Sequence, residues 1–545
     1  MSPLVYLLAK RLGLTPRHGV SVRRDVRVPA EDGAVMLTDV YMPKGLARAP
    51  TVLIRSPYGR RPFGFSMGWP FASQGYVTVI QSCRGTAGSE GEFDPHHHEK
   101  SDGLAAVEWV KAQPFFDGTI VTYGPSYLGY NQWAIAAAAG PEVKAMSMQL
   151  TLSDFSQMNY AGGSLQLHGV LSWTFIVHSL ESTLGRLRLG AYMGLRLATI
   201  SQRSIRKLPI AALDEEVTGR RKKFWRDWME HCSADDPWWQ SMSFEGTIPE
   251  IRRPCSFVSG WHDVFTPWSL RDFEALQKAG APVRIQIGPW RHQDAGAEHA
   301  GIHDALDLLA EHVRGQPSAR SAPVELYVMQ ADQWRRFDSW PPRETERRVL
   351  HLQPDGGLAP QAPVESGPVT YRYDPADPTP SVGGPALPKV PHTVDNRALE
   401  ARSDVLCFTT GVLEQDLDVI GVPAAELHVQ SSAPSADFFV RLCDVDEGGV
   451  SRNVCDFLQR VALPPGGGPQ RVRVELWPTA YRFARGHRVR VQVSSGAFPR
   501  WARNLGTGES LPAGTTMRAA QQSVHFGSTH PSVLSLPVCP DTAGA

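Results

Sequence analysis

Three side chains in this sequence have the types and the chain order of a nucleophile, an orienting carboxylate and a proton carrier: Ser126, Asp263 and His292. Ser126 lies in TIVTYGPSYLGYNQWAIAAAAG, between a β-branched run and an alanine-rich stretch that stops at Gly140-Pro141. That text reads as strand, sharp turn, helix. Such an elbow exposes the serine hydroxyl at a sheet edge and leaves the backbone N–H of Tyr127 at a helix N-terminus, where a developing oxyanion can be held. Gly124 and Gly129 let the chain pass without side-chain clashes. The strict G-x-S-x-G spacing is not met, because Leu128 stands where the second glycine belongs and Gly129 follows one residue later. A plain serine N-cap is the alternative reading of this segment alone.

Asp263 comes just after the strand-like run SFVSG, and His292 just after VRIQIG. In an open α/β sheet the carboxyl ends of the strands share one edge, so the three residues can converge there. Their order is the one α/β-hydrolases use. An unassisted serine hydroxyl is a weak nucleophile, so an imidazole must take its proton and later deliver it to the leaving group. The aspartate fixes the tautomer of that imidazole and stabilises its cation. The chemistry this predicts is acyl transfer to water through a covalent acyl-enzyme, with no metal or organic cofactor. His262 competes with His292, and the run His96-His97-His98 stands apart. No acidic or cysteine ligands recur near that run at metal-binding spacing, so a solvated loop is expected there.

The elements that must position these residues are legible in the periodicity. VRRDVRVPAEDGAVMLTDVYMP reads as a hairpin turning at Glu31-Asp32-Gly33. Short apolar runs TVLIRS, YVTVIQS and TIVTYG follow, with a helical stretch from Asp102 to Gln113 between the last two. Strands alternating with helices imply a largely parallel sheet covered on both faces. From about residue 150 the text is helical until residue 255, which reads as a lid inserted into the sheet domain. Beyond a Pro/Gly-rich stretch the period becomes two. In RVRVELW, Val472, Val474 and Leu476 alternate with Arg471, Arg473 and Glu475, and in HRVRVQV, Val489, Val491 and Val493 alternate with Arg488, Arg490 and Gln492. Half-buried strands with many turns predict a β-sandwich. The expected limits are 1–150 and 246–347 for the sheet domain, 151–245 for the cap and 348–545 for the β-domain.

Composition narrows the function class. The chain has 545 residues, too many for one core, with 55 Lys+Arg against 55 Asp+Glu. A formal charge of zero gives no footprint for nucleic acid or an anionic membrane. Seven scattered cysteines without C-x-x-C pairing argue against a disulfide framework and a zinc site, and fit a reducing cytoplasm. The N-terminal text lacks the charge and cleavage pattern of a signal peptide, and no run reaches the roughly 20 apolar residues of a membrane helix. The expected partner is a small-molecule ester or amide, and homo-oligomerisation is left open.

These motifs resemble the CocE/NonD family of bacterial hydrolases, which includes cocaine esterase and shares its catalytic domain type with X-prolyl dipeptidyl aminopeptidases and α-amino acid ester hydrolases. The resemblance is carried by DGAVMLTDVYMP, IRSPYGR, QSCRGTAGSEGEFDP, YGPSYLGYNQW, GWHDVF, GPWRHQD and VSSGAFPRWARNLGTGE, in that order. The family's nucleophile pattern is G-x-S-Y-x-G, which Gly124, Ser126, Tyr127 and Gly129 satisfy. The resemblance implies an α/β fold: an α/β-hydrolase domain with inserted helical cap, followed by an all-β jelly-roll domain. It also implies that Tyr58, in IRSPYGR, supplies a phenolic donor to the oxyanion beside the Tyr127 N–H. Trp173 in the cap and Phe265 beside Asp263 are candidate pocket walls, and either could be plain core.

The rival within the family is an aminopeptidase or α-amino acid ester hydrolase, which must hold a free ammonium with buried carboxylates. Asp154 and Glu181 are the cap acids that could do so, but no distinctive acidic cluster is present. A second rival is an inert hydrolase domain serving as a binding module. The arginine-rich stretch with Arg186, Arg188, Arg196, Arg203, Arg206 and Lys207 reads as the solvated face of an amphipathic helix, with attraction of an acidic acyl group as the alternative.

Overall fold

A computed structural model of the chain describes all residues except 1–2, 62–63, 183–199, 201, 388–390, 465 and 541–545. The turn at Glu31-Asp32-Gly33 joins β1 (Val20–Pro29) to β2 (Val35–Pro43) as an antiparallel hairpin. Gly33 sits at φ 86°, a left-handed conformation that side chains disfavour. The apolar runs then become β3 (Ala49–Ser56), β4 (Val77–Ser82), β5 (Phe116–Pro125), β6 (Val143–Gln149), β7 (Cys255–Gly260) and β8 (Val283–Gly288). These six pair in parallel, β9 (Val324–Val328) continues the parallel run, and β10 (Gln333–Phe337) closes the sheet antiparallel. The order across the sheet is β1-β2-β4-β3-β5-β6-β7-β8-β9-β10. β5, β6, β7 and β8 are therefore neighbours, and their carboxyl ends carry Ser126, Asp263 and His292 to one edge. The helix expected over Asp102–Gln113 spans Glu99–Lys111.

Between β6 and β7 the chain is helical, including Leu167–Leu180, Leu213–Thr218 and Lys223–Glu230. This insertion has its own core of Leu171, Trp225, Trp228 and Trp239, which Phe498 and Ala502 of the C-terminal region join. In the arginine-rich stretch, Arg186, Arg188 and Arg196 lie outside the described residues. Of the others, Arg203, Arg206 and Lys207 are exposed, Arg206 lies over the Phe498 ring and Lys207 pairs with Glu216.

The C-terminal region is built of antiparallel sheets. One contains Ala424–Ser431, Gln470–Glu475, Ala520–His525 and Val533–Val538. The other orders Leu406–Thr409, Arg488–Ser494, Ser435–Val445 and Ser451–Ala462. Val472 and Val474 are buried and Arg471, Arg473 and Glu475 exposed, as period two requires. In Arg488–Ser494 the alternation fails at Gln492, which is buried and donates to the Glu400 carboxylate at 2.8 Å. A short helix, Arg397–Glu400, supplies that carboxylate, so this strand has polar partners on a face expected to meet water.

Candidate active site

Ser126 sits at φ 61°, ψ −129°, between β5 and the helix Tyr127–Ala136. A non-glycine residue holds such a conformation only where its surroundings enforce it. Here the Ser126 N–H donates to the carbonyls of Gln149 (2.9 Å) and Leu150 (3.1 Å), and its own carbonyl accepts from the Thr151 hydroxyl at 2.8 Å. The flanking glycines are required by space. A Cβ on Gly124 would lie 2.4 Å from the Leu128 Cβ, and one on Gly129 would lie 2.5 Å from the Thr151 side chain. Tyr127, as the first residue of its helix, has an N–H with no acceptor inside that helix.

His292 Nδ1 lies 2.6 Å from Asp263 Oδ2. Because an ionised carboxylate only accepts, the Nδ1 carries the proton and Nε2 keeps its lone pair for a hydroxyl. Asp263 is fully buried, and its second oxygen accepts from the Phe265 N–H at 2.8 Å. The turn presenting His292 is closed on either side by Arg291 and Asp294, the Arg291 N–H donating to the Asp294 carboxylate at 2.9 Å. His262 points elsewhere. It is buried, its ring centroid is 3.7 Å from that of His392, and burial lowers its pKa to about 3.

The Tyr58 hydroxyl hydrogen-bonds with the side chain of Ser126 and accepts from the indole N–H of Trp173 at 2.9 Å. Burial pushes the phenol up to about 12, against the pull of those two hydrogen bonds, so it stays protonated and able to donate at neutral pH. Trp173 is half-buried and stacks on Tyr127 at 5.9 Å and 8°. Phe265 is buried and meets His292 edge-on at 5.1 Å. Phe155 touches Phe265 at 5.8 Å, and Phe93 lies 6.3 Å from Trp173, so aromatic faces surround the serine elbow.

The expectation of a solvated histidine loop is corrected at His96. Its ring is 2% exposed and stacks on Phe155 at 4.5 Å and Trp228 at 5.8 Å, while His97 and His98 are exposed. Burial holds its pKa well below the usual value. The residues that cover it come from the cap and, with Tyr127 at 5.2 Å and Tyr130 at 4.8 Å, from the helix that follows Ser126. No group of three or more His, Cys, Asp or Glu among the described residues could hold a metal ion.

One part of the site gave no signal in the sequence. The Tyr127 hydroxyl donates to Glu99 at 2.9 Å and accepts from the His96 N–H at 2.8 Å. Glu99 is buried with Arg55 at 2.8 Å, and Asp102 links Arg55 to Arg84. A buried carboxylate needs such pairing, because breaking the pair would leave an uncompensated charge. The cap acids are likewise occupied. Asp154 accepts from the N–H and hydroxyl of Ser156, and Glu181 pairs with Lys222.

Comparison with known proteins places this chain among serine hydrolases. The profile of the X-Pro dipeptidyl-peptidase (S15 family) matches residues 32–294, and that of the X-Pro dipeptidyl-peptidase C-terminal non-catalytic domain matches residues 318–535. Cocaine esterase of Rhodococcus sp. (strain MB1 Bresler) is 31% identical over 95% of this chain and 98% of its own. An aminopeptidase from a marine-sediment Thaumarchaeota archaeon is 23% identical with TM-score 0.83, covering 97% of this chain and 98% of its own. An α-amino acid ester hydrolase is 23% identical with TM-score 0.81, covering 96% and 97%. These solved structures share the fold, an α/β-hydrolase domain with a helical insertion followed by an all-β domain.

Proposed function

Because the chain belongs to the family of serine hydrolases that includes cocaine esterase and the X-Pro dipeptidyl-peptidases, we propose that it cleaves a carboxylic ester through an acyl-enzyme on Ser126. The observation that carries this reading is the conjunction of a strained Ser126, hydrogen-bonded to Tyr58, with a half-buried His292 paired to the buried Asp263 at strand ends of the same sheet edge. In the acylation step the Ser126 oxygen attacks the carbonyl carbon and its proton passes to His292 Nε2. The tetrahedral oxyanion accepts hydrogen bonds from the Tyr127 N–H and the Tyr58 hydroxyl. On collapse the alcohol leaves with the proton from His292. Water then repeats the sequence, releasing the acid and restoring the serine.

The substrate reading follows from the aromatic rings packed around the Ser126 elbow. Trp173, Phe265, Phe155 and Phe93 favour an apolar, flat acyl group. Glu181 is exposed and paired with Lys222, which speaks against its capturing an α-ammonium group and favours ester hydrolysis over aminopeptidase action. Free thiols at all seven cysteines are consistent with a reducing compartment, and no helix among the described residues is long and apolar enough to cross a membrane. Kinetics on p-nitrophenyl acetate, p-nitrophenyl benzoate and aminoacyl p-nitroanilides test the reading. Turnover of the esters, with kcat/KM highest for the benzoate, is expected. Turnover of the anilides alone would replace it with the aminopeptidase reading.

A further inference from the structure

The Trp173–Tyr58 hydrogen bond gives the helical insertion a share in the chemistry. Indole N–H is a donor only, so at 2.9 Å it occupies the acceptor side of the Tyr58 oxygen. The phenolic proton must then point away from the indole. The Ser126 side chain also hydrogen-bonds with that hydroxyl, so the phenol stands beside the nucleophile, where the oxyanion would form. Accepting one hydrogen bond also polarises the O–H and strengthens the one it gives.

The same indole stacks flat on Tyr127, whose backbone N–H is the other proposed donor, and a further stack on Trp228 at 5.8 Å holds it. Tyr127 is anchored from behind by Glu99 and the His96 N–H. One side chain on the cap helix Leu167–Leu180 therefore hydrogen-bonds to one donor, the Tyr58 hydroxyl, and packs on the ring of the residue that carries the other. We infer that Trp173 is a positioning residue for the oxyanion hole, acting through the Tyr58 hydroxyl, and so does more than line a pocket. The inference rests on the proposed role of Tyr58.

The test is a double-mutant cycle on p-nitrophenyl acetate, whose small acyl group makes little use of a pocket wall. Trp173 is replaced by 3-benzothienylalanine, which keeps the ring shape and puts sulfur in place of N–H, and in parallel by Phe. Each is made alone and combined with Tyr58→Phe. The loss of one neutral hydrogen bond is expected to lower kcat about five-fold, with KM nearly unchanged. In the Tyr58→Phe background the same replacement is expected to cost nothing further, since the hydroxyl it acts through is gone. An equal loss in both backgrounds, or one confined to KM, overturns the inference and leaves Trp173 a wall, with the Tyr58 reading intact. An unchanged kcat in Tyr58→Phe alone overturns the oxyanion role of Tyr58 and this inference with it.

Discussion

The close, tilted pair of rings at His262 and His392 makes the fold sensitive to acid. His262 is buried against His392 with Arg291 and Asp294 nearby, and burial, reinforced by the adjacent His392 and Arg291, lowers its pKa from 6.5 to about 3. The unfolded chain takes up the proton near pH 6.5, whereas the folded one resists until about pH 3. Protons bind the unfolded state preferentially in that window, so stability is complete above pH 6.5 and falls as the pH drops toward 3. At 1.36 kcal/mol per pH unit the full interval amounts to roughly 5 kcal/mol, and the part expressed by pH 5 is about 2 kcal/mol. His262→Phe keeps an aromatic ring against His392 and cannot titrate. Urea midpoints measured at pH 8 and pH 5 should show the wild type losing about 2 kcal/mol more than the variant. Equal losses would refute the assignment of a buried neutral imidazole at this position. Ester turnover at pH 8 should survive the substitution, because the His262 ring packs on His392 while His292 is the imidazole hydrogen-bonded to Asp263, and a crippled variant would mean that the wrong histidine has been assigned to the triad.

Tyr58→Phe should lower kcat on the order of 10²–10³-fold with a much smaller change in KM, since the deleted donor strengthens only as the oxyanion forms; steady-state kinetics on one activated ester, with a thermal melt, decide it. His292→Ala should remove turnover almost completely while the melt stays near wild type, because acid and base are the same group. Gly129→Ala would put a Cβ 2.5 Å from the Thr151 side chain that holds the Ser126 carbonyl. It should destabilise by about 1–3 kcal/mol by overpacking and lower kcat as the elbow shifts, read from denaturation and kinetics on the same preparation.

The elbow was legible because its requirements are local: a strand, a glycine on either side and a helix start within a few residues of Ser126. β6 was not. Its sequence VKAMSMQ has one β-branched residue, and both of its faces are buried, so neither propensity nor alternation marks it. His96 was misread as solvated for a related reason. Its shielding comes from Tyr127, Tyr130, Phe155 and Trp228, all at least 31 residues away in the chain. The Trp173–Tyr58 bond spans 115 residues and the Tyr127–Glu99 bond spans 28, so each side chain alone resembles ordinary core or surface. Gln492 failed the period-two reading because burial of a polar strand residue depends on whether a partner such as Glu400 arrives from another element. Chemistry set by neighbouring residues could be read from the text, whereas chemistry set by tertiary neighbours needed the fold.

The central claim is that Ser126 forms the covalent intermediate, and labelling with a fluorophosphonate tests it most directly. Intact mass should rise by one adduct per chain, peptide mapping should put that adduct on Ser126, and pre-incubation with an ester substrate should slow it. Ser126→Ala should take up no label and lose nearly all ester turnover with an unchanged melt. An adduct on another residue, or a Ser126→Ala enzyme that still turns over ester at the wild-type rate, would contradict the assignment.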